Sequence, residues 1–270
     1  MNQYDVDRPH VIQDGRRDAP PLVLVHGTGA SSATWEPVAD RLAAHHHVVR
    51  VDLPGCGQSP PARSYDVPAQ AARLAALLDD LGLRQVTVAG HSSGGYVGTS
   101  LAEQRPDLVG SLALVSSGPS LDALLPVPLI LRFLLGPPFG PIVWSRRSDA
   151  MIRKGIEATT AHPVDVPDDV IADLRGLSYR AFRTMSRRNT EYLAERSVPE
   201  RLAVLDVPVL VVFGAADPRW EPTSARRYEA VPTARVEMLP GVGHLPMLEA
   251  TGRTADLLLD FTARTRDRRA

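Results

Sequence analysis

Val86-Thr87-Val88-Ala89-Gly90-His91-Ser92-Ser93-Gly94 reads as a short apolar strand running straight into G-x-S-x-G, with a helix expected to follow. A strand-to-helix turn this abrupt strains the residue at its apex and tolerates only small neighbours. It lifts the apex hydroxyl, that of Ser92, clear of the sheet edge. Beside that hydroxyl lie backbone N–H groups of the first helical turn, which have no partner within the helix and suit an anion. Five residues can thus present a nucleophile and half of a site for a negatively charged oxygen.

So short a motif counts only in context. Upstream, Pro21-Leu22-Val23-Leu24-Val25 is a second apolar strand, ending in His26-Gly27-Thr28-Gly29. Downstream, Val209-Leu210-Val211-Val212-Phe213 ends in Gly214-Ala215-Ala216-Asp217. The run Ala234-Arg235-Val236-Glu237-Met238-Leu239 precedes Pro240-Gly241-Val242-Gly243-His244. A serine, an acid and a histidine therefore each follow a predicted strand, in that order along the chain. With Asp52-Leu53-Pro54-Gly55-Cys56-Gly57-Gln58-Ser59 and the segment 103–109 leading into Leu112-Ala113-Leu114-Val115, the chain resembles the α/β-hydrolase superfamily over roughly residues 20–118 and 205–262.

The resemblance implies an α/β fold: a mostly parallel, eight-stranded-type sheet flanked by helices, with an inserted helical cap. Residues 1–118 and 205–270 would form the core and 119–204 the cap. The residues point the same way. Near-continuous apolar runs at 22–25, 48–51, 86–89, 112–115, 209–213 and 236–239 suit strands buried on both faces. Segments 4–6 and 10–13 are expected to add a small antiparallel edge. Helices are expected near 35–44, 69–81, 96–104, 223–231 and 252–264, and in the insertion around 149–160, 168–185 and 189–195. The apolar run 129–135 carries Arg132, is hemmed by prolines, and falls far short of the ~20 residues a membrane span needs. It reads as an apolar lid surface or as packing within the cap.

Composition narrows the function classes. A chain of 270 residues with 44% apolar and 23% charged residues is ordinary for a globular domain with a sizeable core. A net charge of −1 offers no basic stripe for nucleic acid and no polybasic anchor for a membrane. A single cysteine, Cys56, excludes an internal disulfide and is compatible with a reducing cytoplasm. The acidic N-terminus lacks a signal-peptide pattern. Neither Gly55-Cys56-Gly57 nor Gly27-Thr28-Gly29 continues into a dinucleotide-binding loop, and no phosphate-binding G-x-x-x-x-G-K element precedes Lys154. No cofactor and no metal are expected, and the partner is a small-molecule substrate.

In the chemistry these residues allow, Ser92 is the nucleophile, His244 the base that takes and returns its proton, and Asp217 the carboxylate that orients the imidazole. The family pattern adds an oxyanion hole made of the backbone N–H groups of Ser93 and Thr28. Backbone donors survive side-chain replacement, so Thr28→Ala and Ser93→Ala are expected to be mild. Glu221 and Asp122 compete for the role of acid, and His26 and His91 for that of base. His45-His46-His47 suits a helix C-terminus better than a metal. Trp35, Phe133, Trp144 and Trp220 are candidates for the substrate-binding wall.

Serine at the apex disfavours chemistry that needs a carboxylate nucleophile. A carboxylic-ester hydrolase acting on a small to medium, largely apolar substrate is the expectation. Carbon–carbon bond hydrolases, thioesterases, lactonases or cyclases and hydroxynitrile-type lyases use the same parts. A small-molecule receptor could be built on them without catalysis.

Overall fold

The computed structural model describes residues 8–267. Strands β1 (Val11–Asp14), β2 (Pro21–Val25), β3 (His47–Val51), β4 (Val86–His91), β5 (Val109–Val115), β6 (Val209–Gly214) and β7 (Ala234–Leu239) form one sheet. Their order across it is β1-β3-β2-β4-β5-β6-β7. Each neighbouring pair is parallel except β1 with β3, which run antiparallel with Val11 opposite Val51. The described residues thus hold seven strands. The segment expected at 4–6 lies outside them, and the edge strand pairs with β3.

The strands read as unbroken apolar runs because alternate side chains enter two separate cores. Val23 and Val25 of β2, Leu112 and Leu114 of β5, and Val209, Val211 and Phe213 of β6 face one core. Their neighbours Leu22 and Leu24, Ala113 and Val115, and Leu210 and Val212 face the other. Helices α1 (Glu36–Ala43), α2 (Val67–Asp80) and α3 (Ser93–Gln104) follow β2, β3 and β4. Helices α2 and α3 cover the first core with Leu74, Leu78, Val97 and Leu101. Helix α1 covers the second with Val38 and Leu42.

Between β5 and β6 the chain makes a short 3-10 turn (Leu121–Ala123) and six α-helices: α4 (Leu129–Leu135), α5 (Gly140–Ser145), α6 (Asp149–Glu157), α7 (Asp168–Gly176), α8 (Tyr179–Glu195) and α9 (Val198–Leu202). The single helix expected over 168–185 is two. Ser178 takes an extended conformation, and its hydroxyl accepts the N–H of Ala181, capping a new helix. That helix then runs on through the segment expected at 189–195. Helix α4 buries none of its side chains, and Leu129 is 80% exposed. No helix among the described residues is long and apolar enough to cross a membrane. After β7 come α10 (Pro246–Glu249) and α11 (Thr251–Asp267), whose Ala255, Leu258 and Phe261 complete the second core.

The topology decides where a site can form. From β2 the chain steps outward to β3, then crosses back to β4 on the other side of β2. At such a reversal the loops leaving the carboxyl ends of the two central strands diverge and open a crevice. Those loops are His26-Gly27-Thr28 after β2 and the Ser92 turn after β4.

Candidate active site

Ser92 lies between β4 and α3 at φ +51° and ψ −120°, a conformation rare for a side chain other than hydrogen. The surroundings hold it there. Its N–H donates to Val115 O at 2.8 Å, and Ser117 Oγ donates to its carbonyl at 2.7 Å. The flanking glycines are steric requirements. A Cβ on Gly94 would stand 2.4 Å from the carbonyl oxygen of Val25, and one on Gly90 2.4 Å from the Gly94 backbone.

The loops after β6 and β7 bring two more groups to this turn. His244 Nε2 is 3.2 Å from Ser92 Oγ, and its Nδ1 is 2.8 Å from Asp217 Oδ2. Asp217 is buried, and its other oxygen accepts the backbone N–H groups of Arg219 at 2.8 Å and Trp220 at 3.3 Å. An ionised carboxylate held this way requires a proton on Nδ1, which leaves the Nε2 lone pair facing the serine hydroxyl. The rivals for acid lie elsewhere. Asp122 pairs with Arg227, and the Glu221 carboxylate accepts from the Thr223 hydroxyl.

The backbone of His244 is gripped from several directions. Its N–H donates to Thr159 O at 2.9 Å, and its carbonyl accepts from His91 Nε2 at 2.8 Å. Glu249, on α10, accepts the N–H groups of Gly243 and Leu245 at 2.7 and 2.9 Å. The same carboxylate takes the N–H of Ala161 at 2.7 Å, tying the insertion to this loop. Nothing local in the sequence marks Glu249 except its position five residues after His244.

His91 and His26 are structural groups. Burial pushes the His91 imidazole well below its ordinary pKa, and the neighbouring His244 lowers it further. It is a neutral donor to a carbonyl. Burial also lowers His26, against the pull of Asp52. Its Nδ1 donates to Gly27 O at 2.8 Å, and its Nε2 accepts the N–H of Leu53 at 2.9 Å. Asp52 in turn accepts from Ser32 and Gln58 N–H at 2.7 and 3.0 Å. These bonds fix the loop that carries Thr28. Of the histidine run, His47 reaches Gln13 at 3.0 Å, and no group of three ligating side chains is found among the described residues.

Thr28 and Ser93 face each other across the crevice, their hydroxyl oxygens 2.8 Å apart. The backbone N–H of neither donates to a protein acceptor among the described residues. Helix α8 lies against this pair. Asn189 Nδ2 donates to Thr28 Oγ1 at 2.6 Å, and Phe182 packs over Gly29. No periodicity or motif in the sequence singled out Asn189 or Phe182.

The aromatic candidates for the wall fare unevenly. Trp35 is wholly buried in the second core against Val38 and Leu42, so it packs the sheet and lines no cleft. Trp220 is buried against Gly118, where a Cβ would meet its ring at 2.3 Å. Its placement beneath the site follows from its own N–H bond to Asp217. Phe133 is 59% exposed on α4 and pairs with Phe139, their ring centroids 5.0 Å apart. Trp144 stacks on Phe182 at 4.5 Å between centroids and so reaches the site through that ring. It also lines a cleft of about 310 Å³ on the insertion, with Arg147, Arg175 and Tyr179, apart from Ser92.

With this architecture in view, comparison with known proteins is unambiguous at the level of family. The model of the α/β-hydrolase family matches residues 22–257. The chain belongs to the α/β-hydrolase family and is a hydrolase of that type. Its relatives include the pimeloyl-[acyl-carrier protein] methyl ester esterase of Neisseria meningitidis serogroup C, 31% identical over 244 residues covering 89% of this chain and 92% of the relative. Lipase 3 of a Moraxella species is 31% identical over 245 residues, 87% of this chain and 75% of that protein. Among solved structures, carboxylesterase CesB from Bacillus subtilis superposes with a TM-score of 0.74 at 21% identity, covering 96% and 88% of the two chains, a likeness of fold.

Proposed function

We propose that this protein is a serine hydrolase of carboxylic esters. The carrying observation is the continuous line from Ser92 Oγ through both nitrogens of His244 to Asp217, at 3.2 and 2.8 Å, beside two uncommitted backbone N–H groups. In this reading Ser92 Oγ attacks the ester carbonyl as its proton passes to His244 Nε2. The carbonyl oxygen becomes an oxyanion held by the N–H groups of Thr28 and Ser93, and Asp217 stabilises the imidazolium. Collapse breaks the bond to the alcohol oxygen, which takes the proton from His244 and leaves. Water repeats the sequence on the acyl-enzyme, releasing the acid and restoring Ser92. Such N–H donors act in a water-poor crevice, where one is worth roughly 100- to 1,000-fold in turnover.

The relatives named as esterases and a lipase support the ester class. Phe182 beside Gly29 supports an apolar acyl group of small to medium size. The insertion, residues 119–204, acts as the cap that selects it. The single buried thiol, Cys56, suits a reducing compartment such as the cytoplasm.

A fluorophosphonate should label the wild-type protein at Ser92 and leave Ser92→Ala unlabelled, with a panel of p-nitrophenyl esters hydrolysed only by the former. A folded wild-type protein that neither takes the label nor cleaves any ester overturns the reading.

A further inference from the structure

The insertion leaves in water a surface of the kind that folded domains bury. Helix α4 packs none of its side chains, and its Leu129 and Ile130 are 80% and 67% exposed. Leu131 and Phe133 are exposed as well, as are Phe139 and Ile142 beyond them. The Phe133 and Phe139 rings meet, so the patch continues from α4 to the start of α5. Contiguous apolar patches of this kind mark interaction surfaces.

Charge is segregated around the patch. Residues 126–148 hold Arg132, Arg146 and Arg147 and no aspartate or glutamate. The acids that flank this stretch, Asp122 and Asp149, are neutralised by Arg227 and Arg175. Arg132 and Arg146 are exposed and pair with no carboxylate among the described residues. Arg147 lies 3.5 Å from the centroid of the Trp144 ring, and its Nε and Nη2 donate to the backbone carbonyls of Trp144, Leu174 and Leu177. Burial lowers its pKa to about 10 with no acid to offset it, so it remains a cation near neutral pH.

Shape decides which partner fits. At 3.6 residues per turn, Leu129, Ile130 and Leu131 alone span about 200° of the helix circumference. A protein groove, or a second copy of this chain, covers one stripe of a helix about 100° wide and would leave much of this surface wet. Hydrocarbon closes around every exposed side. Arg132, on the remaining side, carries its charge on a long apolar stem that lies along such a boundary while the guanidinium stays in water.

We propose that the α4–α5 face of the insertion docks on an anionic lipid surface. The apolar side chains of α4 enter the boundary between headgroups and acyl chains, and Arg132 and Arg146 meet the lipid phosphates. Seven residues are too few to span a bilayer and enough to lie in its interface. This goes beyond the hydrolase reading and does not depend on it. It departs from the expectation drawn from the net charge of −1, which averages a purely cationic segment into an otherwise acidic chain.

The test is flotation of the wild-type protein with vesicles of phosphatidylcholine alone and of phosphatidylcholine mixed equally with phosphatidylglycerol. Each arginine near an anionic surface contributes about fivefold, so binding should favour the mixed vesicles by roughly 10-fold or more. Added salt should erode that preference. Leu129→Glu/Ile130→Glu should abolish binding with Tm unchanged, because neither side chain is packed. Arg132→Glu/Arg146→Glu should bring binding to the mixed vesicles down to the level on phosphatidylcholine alone. In the wild-type protein, without any variant, the mixed vesicles should slow hydrogen exchange across residues 129–142 and leave the sheet unchanged.

The proposal is overturned if the wild-type protein floats with neither vesicle, or if exchange across 129–142 is unaffected by them. It is also overturned if Leu129→Glu/Ile130→Glu binds as tightly as wild type. A wild-type dimer, indifferent to vesicles and returned to a monomer by Leu129→Glu/Ile130→Glu, overturns it in favour of a second copy.

Discussion

Replacing Ser92 by glycine should make the protein inactive and, relative to Ser92→Ala, more stable. At φ +51° and ψ −120° the serine carries a Cβ where only glycine is comfortable, at a cost of about 1–3 kcal/mol. Alanine keeps that strain and glycine removes it. Both lose the hydroxyl contact with His244, so comparing the two variants cancels it. Glycine also loosens the unfolded chain, which offsets about 0.5–1 kcal/mol of the gain. The net advantage of Ser92→Gly over Ser92→Ala is therefore about 0.5–2 kcal/mol in unfolding free energy. In a chain of this size that corresponds to roughly 1–6 °C in Tm. Urea titrations give the free-energy difference directly, and calorimetry the midpoint. Ester turnover should fall in both by up to about a million-fold, the scale seen when a triad serine is removed. A Ser92→Gly protein no more stable than Ser92→Ala would show that the turn is relaxed, and would refute the argument that its neighbours force it.

Glu249→Gln should lower kcat more than it raises KM. The amide cannot accept every N–H the carboxylate now holds, and the His244 loop loses bonds worth on the order of 1.5–3 kcal/mol each when the acceptor is charged. Unchanged kcat at unchanged Tm would exclude a positioning role for it. Stability should also fall in mild acid. His26, His46 and His91 are held by burial below their ordinary pKa, so the unfolded chain binds protons that the folded chain refuses. Their contribution is complete above the unfolded pKa of about 6.5 and is lost as pH falls toward the lower folded values. Each imidazole that stays neutral below that pH subtracts from the stability of the fold. Urea titrations at about pH 7.5 and 5.5 measure this. Equal stability at the two would show that these imidazoles titrate freely.

The parts of the fold legible in the sequence are those where local pattern and tertiary environment agree. Strands such as Leu22–Val25 and Val209–Phe213 are apolar at every position because both faces are covered, so their pattern survives without knowledge of the partners. The G-x-S-x-G turn is legible because steric demand at Gly90 and Gly94 is a local matter. Ser92, Asp217 and His244 were singled out by following strands in the right order, and the structure brings them within hydrogen-bond reach.

What stayed hidden depends on distant approach. The break at Leu177–Ser178 turns on which residue caps a helix, and apolar spacing does not reveal it. Trp35 is an aromatic near the crevice in sequence, yet the short 3-10 turn Ser32–Trp35 ahead of α1 directs it into the core. Asn189 meets Thr28 across 161 positions of chain, and Glu249 meets Ala161 across 88. No periodicity encodes such meetings, so polar residues on amphipathic helices look like solvated ones until the helices are docked.

The bonds from Thr159 and Ala161 to the His244 loop carry an evolutionary consequence. If the insertion is the selecting cap proposed above, exchanging the whole segment between β5 and β6 for that of a relative would alter selectivity and, in the same stroke, detach two anchors of the imidazole. A chimera that spares residues 159–161 while replacing the exposed stretch around α4 separates these effects. Recombination in this scaffold should therefore be tolerated better at the outer helices than at the inner seam.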